Sequence, residues 1–174
     1  MVADLRVIGP AAVFNRYMAA SQTDVKAGEP LHSVGVRTSG ASNANVYTLA
    51  AADTPVIGTH QFGGVAIKNS ENNAAGTTLA QFLPTANPVP EIGRIRGKAE
   101  TAANVDTLAE LVAILQDSVL IDYNSTGGAD GGQLYTIKDA ASADSSGLQV
   151  VGGNTALSEL EVTVSALAYR TDTA

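Results

Sequence analysis

"PVIGTHQFGGVAIKNSENNAAGT", residues 55–77, decides how this chain is read. It carries a Gly-Gly pair, a short apolar run and a lysine, the ingredients of a phosphate-cradling loop. Such a loop needs four residues between its first glycine and a Gly-Lys-Ser/Thr, then a helix whose N-terminus faces the phosphates. Here Gly63, Gly64 and Val65 stand where Gly-Lys-Ser/Thr would follow Gly58, and Lys68 comes after Ile67 with a polar loop behind it. The stretch therefore reads as two β-type runs, 55–62 and 64–68, either side of a turn at Gly63-Gly64, with a loop at 69–77.

The same rhythm extends in both directions. Upstream, a Gly-Glu-Pro turn precedes an alternating run in 26–36 with Leu31 and Val34 inward; a loop at 39–45 leads to a strand at 46–50. Downstream, β runs at 77–84 and 92–99 are separated by ANPVPE, whose two prolines break pairing. Runs of this spacing with turn signals between them predict a mainly β fold, a sandwich or a barrel, with a β-tulip-like form among the shapes that fit.

DTLAELVAILQDSV, residues 106–119, interrupts the pattern. Leu108, Leu111, Val112, Leu115 and Val119 recur with helical period, and Thr107 with Glu110 makes a capping box. The segment predicts one amphipathic helix packing that stripe onto a sheet. Further strands follow at 119–123, 133–139, 148–152 and 160–170. In the last, Leu160, Val162, Val164, Ala166 and Ala168 alternate with Glu161, Thr163 and Ser165, the pattern of a half-buried strand.

Residues 1–27 stand apart as an N-terminal arm, ahead of a single mainly β domain over 28–174 that includes the helix. LRVIG (5–9) reads as a strand that Pro10 keeps from a central place, and 11–21 as a loose helix or extended arm. Leu5, Val7, Ile8, Phe14 and Tyr17 give the arm an apolar character. It either packs on its own domain or adds a strand to a neighbour's sheet edge, which makes these five the candidate partner interface.

Composition narrows the function classes. The chain has 174 residues, a net charge of −7, no cysteine, no tryptophan and two histidines. Thiolate zinc sites, disulfides and cysteine nucleophiles are absent. Ten Lys and Arg scattered along an acidic chain make no basic stripe for nucleic acid. No run of 18 apolar residues crosses a membrane. Charged and polar residues interrupt the N-terminal stretch, against a secretory signal. A hydrophobic content of 45% argues against disorder.

Candidate chemistry is sparse. DYNSTGGADGGQ (122–133) places Asp122, Asn124, Thr126, Gly127, Asp130 and Gln133 on a calcium-loop template, but Gln133 replaces the bidentate glutamate and the flanks are strands; a plain hairpin loop is expected. His32 and His60 lie in β-like runs without a serine elbow or a carboxylate at telling spacing, and read as structural or surface residues. Glu159 and Glu161 share one strand face, read as solvated. No catalytic, cofactor or metal residue is assigned.

GEPLHSVGV (28–36), TPVIGTHQFGGVAIKNSENNAAGTT (54–78) and VPEIGRIRGKA (89–99) together resemble the capsid decoration, or cement, proteins of tailed bacteriophages. The resemblance lies in strand rhythm and composition over residues 26–99. It implies a non-enzymatic virion protein on the outer capsid surface, self-associating as a homotrimer and clamping the major capsid protein. A phage tail or head–tail joining protein shares the composition, and a small β-fold binding module or hydrolase is the reading from another class.

Overall fold

Short β-branched and aromatic runs bounded by Gly, Pro and Asn cannot bury their apolar side chains alone, so they pair. The computed structural model describes residues 5–18, 25–34, 46–50, 55–56, 60–69, 82–123, 135–139 and 146–169. Within them the strands are β1 (Leu5–Ile8), β2 (Ala11–Met18), β3 (Pro30–Val34), β4 (Val46–Leu49), β5 (His60–Ala66), β6 (Phe82–Pro88), β7 (Arg94–Lys98), β8 (Ile121–Tyr123), β9 (Tyr135–Ile137), β10 (Leu148–Asn154) and β11 (Glu159–Val164). One helix, α1 (Leu108–Ala113), accompanies them. The chain is mainly β, as its sequence predicts, with one α-helix among the described residues.

Five strands close into a barrel in the order β2-β4-β3-β5-β6, and four form a sheet in the order β1-β7-β11-β10. β8 and β9 make a two-stranded ribbon. Among the described strands every ladder is antiparallel except β2–β4. Met18, Val25, Leu31, Tyr47, Ala66 and Leu83 form one apolar cluster inside the barrel. A second joins Phe62 and Val65 of β5 to Leu5, Ile95, Leu160 and Val162 of the sheet, to Leu111 of α1 and to Ile137 of the ribbon. On β11 Leu160, Val162 and Val164 are buried as expected, but Glu159 and Thr163 of the opposite face are buried as well, so the strand is covered on both sides and not half-buried. The strand ends at Val164, and a 3₁₀ turn over Ala166–Tyr169 takes the place of most of its predicted second half.

The turn expected at Gly63-Gly64 is absent. β5 runs through both glycines, and its ladder with β3 slips there: Leu31 faces Gly64 while His32 faces Phe62. Gly63 is the extra residue of a β-bulge, and Gly64 has φ +100°. A Cβ on Gly63 would lie 2.5 Å from Cδ1 of Tyr47, and one on Gly64 would lie 2.4 Å from Oδ1 of Asn87. Bulges of this kind add the local coiling that a small barrel needs to close. Glycine serves positive φ in several turn types and in some bulges alike, so the dipeptide alone does not separate them.

Three other elements depart from expectation. β6 continues through Ala86, Asn87 and Pro88, where a break was expected. Its ladder with β5 covers only Val65–Ala86 and Ala66–Thr85, so Pro84 and Pro88 fall outside it and the missing N–H groups cost little. Residues 11–18 are a strand, not a loose helix: β2 pairs with β6 from Ala11–Pro88 to Tyr17–Phe82. The helix keeps its capping box, with the Glu110 N–H donating to Thr107 Oγ1 at 3.3 Å and the Thr107 N–H donating to Glu110 Oε2 at 3.0 Å. It stops at Ala113, short of the predicted 119. Beyond it the Gln116 N–H donates to Val150 O, and the Val150 N–H donates to Asp117 O, so the chain leaves the helix to pair with the β10 edge.

Candidate functional site

The N-terminal candidates separate by strand and by face. Leu5 is 1% exposed in the core beneath the sheet. β1 pairs with β7 from Leu5–Gly97 to Ile8–Arg94, and the Leu5 N–H donates to Gly28 O. Leu5 is therefore closed to a partner, and Val7 packs partly against the same core. Ile8 and Tyr17 are half-buried. Phe14 is 48% exposed beside Val13 at 64%. Of the five, Phe14 alone presents a large apolar surface to solvent.

Phe14, Arg16 and Met18 lie on one face of β2, since alternate residues share a face. They run from exposed through half-buried to fully buried, from the barrel rim to its interior. The Arg16 guanidinium sits 4.9 Å from the ring centroid of Phe14 and 4.9 Å from that of Tyr47. Its Nε donates to Gly63 O at 2.9 Å, and its Nη1 donates to Tyr47 Oη at 3.3 Å. Thr85 Oγ1 donates to the same Gly63 carbonyl at 3.0 Å and lies 3.0 Å from Asn87 Oδ1. The Asn87 amide nitrogen is buried and has no hydrogen-bond partner. Arg16 forms no ion pair with a carboxylate of the described residues.

The outer face of the four-stranded sheet carries a charge ladder. Arg6 Nη2 reaches Glu159 Oε1 at 2.7 Å, and Arg94 Nη1 reaches Glu161 Oε2 at 2.9 Å. Arg96 donates to the other oxygen of Glu161. Glu159 and Glu161 do share a strand face, but arginines from β1 and β7 cover it. Burial pushes the Glu161 carboxyl upward, and the hydrogen bonds from Arg96 and Arg94 outweigh that and hold it below the usual carboxylate range. A carboxylate held ionised in this way has no proton to give as a general acid near neutral pH.

His32 and His60 meet in space, which no local pattern in the sequence predicts. Their ring centroids lie 5.0 Å apart in an edge-to-face arrangement. The bulge shifts the β3–β5 register, so that His32 faces Phe62 and Val34 faces His60. Burial, with His60 adding to it, lowers the His32 imidazole to about 4. Burial lowers His60 as well, and its Nδ1 accepts the Val56 N–H at 3.1 Å. A metal at Nε2 of a neutral His60 would force the proton onto Nδ1, against that N–H, so the pair is a poor chelate. Among the described residues no three His, Asp or Glu side chains converge as metal ligands. Most of the 122–133 loop lies outside the described residues; its flanks, β8 and β9, are antiparallel partners.

α1 turns its stripe outward. Leu111 is 8% exposed and Ile114 packs on the core, whereas Leu108, Val112 and Leu115 are 70%, 56% and 36% exposed. The predicted stripe is a real feature of the helix, but most of it faces solvent. An open cleft of about 260 Å³ lies between Lys98, Ala99 and Ala102 on one side and Ala156, Leu157 and Ser158 on the other. Compared with known proteins, the chain matches no protein-family model, no curated protein and no solved structure.

Proposed function

We propose that this protein is a non-enzymatic virion component that binds the outside of a tailed-phage capsid and stabilises it by clamping neighbouring major capsid proteins, as a homotrimer. The observation that carries the reading is the exposed apolar set of α1 and the turn that follows it, Leu108, Val112 and Leu115, on a small acidic protein. Apolar side chains grouped on one exposed element favour a protein partner. Val13 and Phe14 at the barrel rim add a second apolar contact. The strand rhythm of residues 26–99, which resembles decoration proteins, supplies the identity of the partner. Clamping needs contact area and copy number, not a reactive group.

Co-sedimentation with mature heads that lack the protein tests this. Saturable pelleting at a fixed ratio to the major capsid protein is the expected result, and a variant with Leu108, Val112 and Leu115 all changed to Ser stays folded and remains in the supernatant. A wild-type protein that does not pellet, and forms soluble rings instead, overturns the capsid reading in favour of a tail or head–tail joining component.

A further inference from the structure

We propose that the barrel rim around Arg16 is a carboxylate-binding site, built to take an acidic group at the open edge of the guanidinium, beside the Phe14 ring. A guanidinium has five N–H donors and no acceptor. Two are used within the protein, on Gly63 O and Tyr47 Oη, which leaves three without a partner among the described residues. The aromatic rings of Phe14 and Tyr47 fix the plane of the group without supplying a negative charge. Burial raises the Tyr169 phenol and keeps it neutral, so it supplies no counter-charge either, although it is close enough for the Arg16 charge to oppose that rise.

Gly63 O receives both Arg16 Nε–H and the Thr85 hydroxyl, so the inner edge of the guanidinium is satisfied within the protein. Donors in excess at a half-buried rim are complemented by a group that only accepts, and a planar carboxylate matches the spare edge of a guanidinium bidentately. A structural role alone explains the Nε contact, which caps the bulge carbonyl. It does not explain why a charged fork, which a neutral donor would replace, stands at the rim with its outer edge open. Phe14, 48% exposed, gives the ligand an apolar wall. The inference is independent of the capsid reading and needs no capsid to test.

The experiment follows the Arg16 Nε–Hε resonance of the full chain by ¹H–¹⁵N NMR. Sodium acetate is titrated against sodium chloride at matched ionic strength, and a blocked glutamate is titrated in parallel. A saturable shift with acetate, with a dissociation constant of roughly 1–50 mM, is expected for one bidentate pair at a half-exposed site. A comparable shift with the blocked glutamate assigns the site to side chains of a partner; binding of acetate alone assigns it to free small carboxylates. Arg16→Lys is expected to abolish saturation, read on neighbouring amides. Phe14→Ala, at an exposed position, is expected to weaken binding several-fold and serves if Arg16→Lys does not fold. Linear shifts equal to those in chloride overturn the proposal, as does saturation that survives both substitutions.

Discussion

Replacing Gly63 by alanine would set a methyl group 2.5 Å from Cδ1 of Tyr47, a ring that the Arg16 guanidinium holds from its other contacts. Neither the ring nor the strand can give way without disturbing the barrel interior, so Gly63→Ala is expected to cost about 1–3 kcal/mol. Gly64→Ala adds the strain of a left-handed φ, about 1–2 kcal/mol, to a clash with Asn87. Urea unfolding measures both as a lower midpoint at constant slope; a Gly63→Ala midpoint equal to wild type would mean that the bulge is loosely packed. The histidines make a second residue-scale prediction. His32 is lowered to about 4 in the folded chain and titrates near 6.5 when unfolded, so the unfolded state binds more protons between those values. Stability is therefore full above about pH 6.5 and falls as pH drops toward 4. Protonating His60 also sets an N–H against the Val56 N–H, in the same direction. Melting temperature should fall by several degrees between pH 7 and pH 5, and His32→Phe should flatten that slope; an unchanged slope would place the acid sensitivity elsewhere. The sequence marked Gly63-Gly64 and both histidines as residues to explain. Which residues they meet depends on a one-residue slip in a ladder between segments far apart in the chain, and no local pattern encodes that slip.

At the scale of elements, α1 separates what periodicity determines from what it leaves open. The start was legible because a capping box is a local event: Thr107 and Glu110 satisfy each other's backbone donors with no help from the rest of the fold. The end was not, because the bonds that stop the helix come from Val150 on β10. The choice of buried face was also lost, since Leu111 with Ile114 and Leu108 with Val112 and Leu115 lie on neighbouring sides of one short helix and the turn that ends it. Leu111→Ala is therefore expected to cost about 2–4 kcal/mol, as its side chain packs over Gly153 and into the core. Leu108→Ala and Val112→Ala should each stay within about 0.5 kcal/mol of wild type. Chemical denaturation of the three variants decides this, and a Leu108→Ala cost equal to that of Leu111→Ala would mean that the stripe is covered in the free protein.

For the whole molecule, the class was legible from strand rhythm, but the route of the chain was not. Closure of the barrel rests on β2, which joins β6 along one side and β4, in parallel, along the other. A parallel pair brought together across β3 leaves no mark in either segment, so the N-terminal stretch read as an arm able to serve a neighbour. Its described part serves its own fold instead. Deleting residues 1–18 would unpair one long side of β6, remove the Arg16 cap from the bulge and take Met18 out of the barrel cluster. It would also strip β1 from β7 and Leu5 from the core beneath the sheet. A closed barrel has no edges, and opening it exposes the unpaired strands β4 and β6 together with an apolar interior. The truncated chain is therefore expected to lose its cooperative thermal transition and to bind a hydrophobic dye, whereas a segment whose contacts were only with a partner would leave the melting temperature unchanged. Differential scanning calorimetry distinguishes the two. A truncated protein that still melts cooperatively within about 5 °C of the full chain would return the N-terminal strands to the role of a docking arm.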